Sequence, residues 1–363
     1  MNETPAGNWI EFPGVGALLG MAVGDALGTT YEFARMEQPP YPALATGPAT
    51  DVTGGGPFDL APGQITDDTQ MAICIARSLV EKRGVDMLDL ATRYVAWYQH
   101  AFDVGNQTAS ALRRLEAGGN VATAGREVWH ASGRRAAGNG SLMRTTPIGV
   151  YCARDLEAGR LDVLVEASLT DSLITHADPR CAIACAAFNA AIARGVLCAG
   201  SGDPPDRARM QLESARTAIP IAADRLRELW SDDADDLALV DAAVEDLVRD
   251  LASAQADEPG VYRVELDLLR TAGFVRVAFR LAFWHLVHTP SWRDALVDVA
   301  SRGGDADTNA AIAGALLGAR DGVTAIPRAW LDRVLAATQP GPADWADAHH
   351  PRHLLALASM LRG

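Results

Sequence analysis

Glycine falls at strict four-residue steps in two stretches of this 363-residue chain, and that spacing constrains its fold more than any other feature. Gly16, Gly20, Gly24 and Gly28 form one ladder. Gly314, Gly318 and Gly322 form the other, with Ala310 ahead of them. A glycine inside a helix costs about 1 kcal/mol relative to alanine, so a repeated one needs a reason. Residues four apart share one helical face. Each ladder therefore predicts a groove into which a second helix presses closely. The competing reading is that Gly24 and Gly28 simply end the first helix.

The rest of the chain is also helical in pattern. Apolar residues recur at three- and four-residue spacing over 69–82, 86–101, 181–195, 207–229, 236–254, 274–288 and 308–320. Persuasive period-two strands are few, so the fold class is all-α. Breakers cluster at 38–63, 117–140 and 198–206. Residues 1–13 read as an N-terminal tail and 14–363 as a single domain, closed by a short helix within 349–363. A segment of different texture, about 200–260, carries acidic blocks such as Ser231–Asp236. It reads as an insertion of exposed amphipathic helices with a solvated role.

Basic minus acidic residues gives 32 − 46 = −14. Such a chain is a poor candidate for sequence-independent nucleic-acid binding, which needs Lys and Arg to displace counterions. It can still take an anionic small molecule on backbone N–H groups. Cys74, Cys152, Cys181, Cys185 and Cys198 include no C-x-x-C pair and sit among small or apolar residues, which predicts buried, reduced thiols. The start MNETPAGNWIEFPG lacks the basic and apolar regions of a signal peptide, and no run of about 18 uncharged apolar residues suggests a membrane span. The expectation is a cytoplasmic protein without a membrane partner.

Two acidic clusters, about 240 residues apart, carry the strongest chemical signal. One is Thr66-Asp67-Asp68-Thr69 and the other is Gly303-Gly304-Asp305-Ala306-Asp307-Thr308, each running straight into a helical pattern. Helix capping explains one carboxylate at such a place. A second adds repulsion that the helix end only partly offsets. If the clusters converge, four carboxylates share a small volume and need protons or cations between them. Oxygen ligands of this kind suit Mg²⁺ or Mn²⁺ rather than zinc. Gly138-Asn139-Gly140-Ser141-Leu142-Met143-Arg144 can present consecutive N–H groups to a phosphate, although an ordinary loop before a helix explains it equally. Phe102-Asp103-Val104-Gly105-Asn106 reads by itself as a helix stop. Thr175-His176 reads by itself as a structural hydrogen-bonder.

Taken together the motifs resemble the ADP-ribosylglycohydrolase family. The resemblance lies in GALLGMAVGDALGTTYEF (16–33), QITDDTQMA (64–72), FDVGN (102–106), GNGSLMR (138–144), THADPR (175–180) and GGDADTNAAIAGALLGA (303–319). It implies a compact orthogonal all-α bundle around a central dinuclear metal site, with Thr66, Asp67, Asp68, Asp305, Asp307 and Thr308 as ligands. It also implies ADP-ribose contacts from Gly138, Asn139, Gly140, Ser141, Leu142, Met143 and His176. Asp103 and Asn106 would lie beside the ribose and Phe274 along the pocket. Glu32 sits where some members carry a flap glutamate.

The implied activity is hydrolysis of the bond between ADP-ribose and an acceptor on a modified protein or small molecule, with arginine the first expectation and serine the second. Asp68 or Glu32 is the expected general base, and Asp307 bridges the metals. Two rival readings remain at this stage. One is an ADP-ribose-binding or toxin-immunity protein without turnover. The other is a metal-dependent nucleotide phosphohydrolase.

Overall fold

A computed structural model describes residues 14–35 and 47–361. The predicted tail 1–13 and part of the breaker stretch 38–63 lie outside the described residues. The helices, in chain order, are α1 (Val15–Gly28), α2 (Asp67–Lys82), α3 (Met87–Tyr98), α4 (Asn106–Glu116), α5 (Ala124–Ala131) and α6 (Thr146–Tyr151). They continue with α7 (Ala153–Glu157), α8 (Leu161–Thr175), α9 (Pro179–Leu197), α10 (Pro204–Leu229), α11 (Ala234–Ser253) and α12 (Val275–His288). The last are α13 (Trp292–Ser301), α14 (Ala306–Asp321), α15 (Arg328–Ala336), α16 (Ala343–Ala348) and α17 (His353–Met360). The one sheet among the described residues is an antiparallel pair of two-residue strands, Tyr262–Arg263 with Leu266–Asp267. The fold is all-α, as the periodicity predicts.

The two glycine ladders face each other. A methyl group built on Gly16, Gly20, Gly24 or Gly28 would overlap the carbonyl oxygen of Gly318, Gly314, Ala310 or Ala306 in turn. Rising numbers on α1 meet falling numbers on α14, so the helices run antiparallel with their backbones touching. Only residues without a bulky Cβ allow that approach. Gly28 is the last residue of α1 and keeps right-handed geometry, so it is a rung as well as an end. Gly322 differs: it lies beyond α14 at φ 78°, a left-handed position that stops the helix.

α9 is the central core helix. Asp178 caps it by accepting from the Arg180 N–H at 3.0 Å, and Pro179 opens its first turn. α6, α8, α10, α12 and α14 all pack on it. It is long and apolar enough to cross a membrane by length and composition, but 83% of that stretch is buried inside the protein. The sequence pattern passes over this stretch because Arg180 and Arg194 flank it.

The 200–260 segment is less solvated than its composition suggests. Ala208, Leu212, Ala215, Ile219, Ala222 and Leu226 of α10 are buried. In the acidic block, Asp233 caps α11, and Asp236 is fully buried between Arg126, Arg134 and His130. Burying a carboxylate is costly unless it is paired, and here guanidinium groups from outside the segment pair it. The breaker stretch 117–140 also hides α5, whose eight residues include the buried Trp129. All five cysteines are free and buried.

Candidate active site

Asp25 is the one charged residue of α1, and it is completely buried. It accepts from the Thr66 N–H (3.0 Å), the Thr66 hydroxyl (3.0 Å), the Thr69 N–H (3.2 Å) and the Thr69 hydroxyl (2.6 Å). It thereby caps α2 from outside, while Thr66 makes no side-chain cap of its own. Asp67 and Asp68 are released from capping and reach the interior. Burial, partly offset by these hydrogen bonds, leaves the Asp25 carboxyl at about 6.

The second cluster is set by the glycine seam. Gly303 and Gly304 adopt left-handed φ of 72° and 69°, turning the chain so that Asp305 opens α14. The last rung places Gly28 against the backbone of Ala306 and Asp307. The acidic clusters then meet: the Thr308 hydroxyl lies 3.3 Å from an Asp68 carboxylate oxygen, across 240 residues of chain. Carboxylate oxygens of Glu32, Asp305 and Asp307 lie within 4.8 Å of one another. The Asn139 amide donates to Asp305 at 2.6 Å.

Three buried oxygens in this group, Glu32 Oε2, Asp68 Oδ1 and Asp307 Oδ1, have no hydrogen-bond partner. Buried acceptors left bare cost several kcal/mol in total, about 1–3 each. Burial, then the Asp103 and Asp305 charges, push Glu32 up to about 9. Asp103 rises to about 7 through burial and then Asp305. Burial and mutual repulsion raise Asp67, Asp68 and Asp307 well above the carboxylate range. Threonine, carboxylate and bare oxygens in one place fit a hard divalent cation. His130, Asp233 and Asp236 form another close group, but Arg126 and Arg134 already neutralise it.

A cleft of about 320 Å³ opens over the cluster. Glu32, Asp67, Asp103, Asn106, Gly138, Asn139, Gly140, Met143, His176, Asp305, Asp307 and Thr308 line it. Thr66 and Asp68 sit behind that wall with no exposed surface. Of the glycine-rich segment, Gly138 and Asn139 spend their N–H groups on Gln107 and on the Gly273 carbonyl. The N–H groups of Gly140, Ser141 and Leu142 have no acceptor among the described residues. Ser141 and Leu142 side chains are buried, so these two reach a ligand through the backbone alone. The Phe274 ring lies under the Arg180 and Arg276 guanidiniums, at 5.2 and 6.0 Å, and Gly273 lines the cleft in its place.

His176 packs beneath Gly140, where a Cβ would approach its imidazole to 2.9 Å. Its Nδ1 is 2.8 Å from the Thr175 hydroxyl. Burial first, then Arg144, lowers its pKa well below 6.5, so the ring is neutral. Its contribution to stability is present above the unfolded value of about 6.5 and is lost as pH falls. Wild-type stability should drop below pH 6.5 more steeply than that of His176→Gln, by up to about 1.4 kcal/mol per pH unit. Urea titrations at pH 7, 6 and 5 measure this, and parallel curves refute it. Arg144 ends the segment as a buried anchor, paired to Asp171 at 3.2 Å and lying over the Tyr94 ring at 4.5 Å.

Sequence reasoning missed Asp25, Gln107, Thr108 and Phe33. A lone charge in an apolar helix was the available signal for Asp25. A larger cavity, about 680 Å³, lies between α8 and α10. Its Arg225 already pairs with Glu166 and Glu228, so it shows none of the frustrated charge of the smaller cleft.

Comparisons with known proteins point to one family. The sequence model for ADP-ribosylglycohydrolase matches residues 14–361. The chain is 28% identical over 331 residues to the ADP-ribosylarginine hydrolase Tri1 of Serratia proteamaculans, covering 88% of this chain and 74% of that protein. It is 28% identical over 321 residues to the ADP-ribosyl-[dinitrogen reductase] glycohydrolase of Rhodospirillum rubrum, covering 88% and 89%. A solved structure described as an ADP-ribosylglycohydrolase-related protein complex matches with a TM-score of 0.67 at 26% identity, covering 97% of this chain and 98% of that one.

Proposed function

Because the chain belongs to the ADP-ribosylglycohydrolase family, we propose that its cleft hydrolyses the N-glycosidic bond joining ADP-ribose to an arginine side chain, with two divalent cations held by Thr66, Asp67, Asp68, Asp305, Asp307 and Thr308. The observation that carries this is the convergence of two distant acidic clusters around three unpartnered buried oxygens. Relatives whose names specify an arginine linkage and a modified dinitrogen reductase support the acceptor. Mg²⁺ and Mn²⁺ both suit the oxygen set.

Bound there, such cations supply positive charge for the ribose hydroxyls and lower the pKa of a nearby water. The protein's own groups do the rest. Free N–H groups of Gly140, Ser141 and Leu142 hold the pyrophosphate, so a chain of charge −14 takes an anionic ligand without surface lysines. Neutral His176 supports that backbone without adding charge. Asp103 and Asn106 flank the ribose. Water adds to the anomeric carbon as the carbon–nitrogen bond breaks, and the departing guanidine keeps the bonding pair and takes a proton. Glu32 lines the cleft and, once bound cations offset the burial and repulsion that raise its pKa, is the base that receives the water's proton, while Asp68 stands behind it as a ligand.

Thorough chelation should cut ADP-ribose release from an arginine-linked peptide about a thousandfold or more, and added Mg²⁺ or Mn²⁺ should restore it. Unchanged release after chelation refutes the metal role. Phosphate release in place of ADP-ribose refutes the reaction.

A further inference from the structure

Phe33 follows Glu32 at the mouth of the cleft and lines it. Its backbone holds φ 56°, in the left-handed region that a bulky residue rarely enters. Two backbone hydrogen bonds to the second acidic loop keep it there. The Phe33 N–H donates to the Gly304 carbonyl at 2.6 Å, and the Gly304 N–H donates to the Ala34 carbonyl at 3.1 Å. The residue is 64% exposed to solvent. A bulky residue held at positive φ costs stability, and strain of this kind concentrates where a chain positions a side chain for a ligand.

The ring has neither an aromatic nor a guanidinium partner among the described residues, whereas the Phe274 ring is already covered by Arg180 and Arg276. Phe33 is tied through Glu32 and Gly304 to the acidic end of the cleft. The free N–H groups belong to a different segment, residues 140–142. Glu32 and Asp103, the acidic lining residues not assigned to the cations, share the cleft with the ring. An open aromatic face beside carboxylates is the chemistry that receives a planar cation: the face stacks on it and the carboxylates meet its charge.

Resting on the proposed arginine-linked substrate, we infer that Phe33 is the residue that selects the acceptor, its ring stacking on the guanidinium of the modified arginine beside Glu32 and Asp103. Serine presents no planar cation, so the same ring gives it nothing comparable.

The test uses the full chain loaded with Mg²⁺, an arginine-linked ADP-ribosyl peptide, a serine-linked one, and free ADP-ribose as competitor. Phe33→Leu keeps bulk and loses the π-face, while Phe33→Tyr and Phe33→Trp keep the face. For the arginine linkage, Phe33→Leu should raise KM and lower kcat/KM about 10-fold, with the Tyr and Trp variants within about twofold of wild type. The ratio of arginine to serine kcat/KM should fall with it, and the inhibition constant of free ADP-ribose should stay within about twofold. Wild-type kinetics for Phe33→Leu on the arginine peptide overturn the inference while leaving the reaction intact. So does an equal loss for free ADP-ribose, which would put the ring on the nucleotide side. A wild-type protein that cleaves the serine linkage and not the arginine one overturns the acceptor assignment itself, and this inference with it.

Discussion

Asp307→Ala should lower ADP-ribose release about a thousandfold or more and yet leave a folded protein. Asp307 is buried, and its Oδ1 has no hydrogen-bond partner. Its neighbours are the carboxylates of Glu32, Asp68 and Asp305. Removing an ordinary buried carboxylate leaves its partners unpaired and destabilises a protein by about 3–5 kcal/mol. Here the neighbours are other acidic groups, and burial with their mutual repulsion opposes ionisation of Asp307, so removal relieves that cost. Asp307→Asn, which keeps the shape, should therefore stabilise the chelated protein at pH 8 by about 1 kcal/mol or more. The same substitution should weaken the stabilisation that Mg²⁺ gives the wild type, about 2.7 kcal/mol at a hundredfold excess over Kd. Urea melts with and without chelator measure both effects. Wild-type turnover in Asp307→Ala, or destabilisation of chelated Asp307→Asn, would show that the cluster is built for structure.

The second large effect concerns the seam of α1 and α14. A Cβ on Gly24 would overlap the Ala310 carbonyl oxygen and stand 2.6 Å from its carbon. The obstacle is backbone on a packed helix, so no side chain can rotate away. Gly24→Val should cost about 3 kcal/mol or more, well beyond the ordinary penalty for overpacking, and the protein should be largely unfolded or insoluble at 37 °C. Gly84→Ala is the control: nothing lies within 4 Å of its new Cβ, and its stability should stay within about 0.5 kcal/mol of wild type or rise slightly. Denaturant midpoints separate the two. A well-folded Gly24→Val would mean that the helices can part without loss.

Much of this was legible in the residues. The glycine ladders announced close helix packing because a repeated local cost needs a repeated contact. The paired carboxylates announced a convergent acidic cluster because adjacent like charges exceed what capping requires. Both signals are written in short spacing. What escaped depends on partners far away in the chain. Asp25 looked incidental until Thr66 and Thr69 were seen to surround it. The Ser231–Asp236 block looked solvated because Arg126 and Arg134, which bury Asp236, lie a hundred residues earlier. α5 was hidden because glycines on both sides masked an eight-residue helix. Phe33 gave no signal, since neither its backbone angle nor its exposure follows from its neighbours in sequence.

The antiparallel seam also dictates when activity can arise during synthesis. α1 leaves the ribosome early, yet its groove fits only α14, made nearly three hundred residues later. Until then the carbonyls facing the groove lack their neighbour, and Gly28 has nothing to hold Asp307 against. A nascent chain truncated before Ala306 lacks Asp307 and Thr308 of the cleft, however well its other helices have collapsed. Synthesis through α14 thus sets the earliest point at which the cleft can assemble, and no amino-terminal fragment ending before Ala306 should turn over substrate alone.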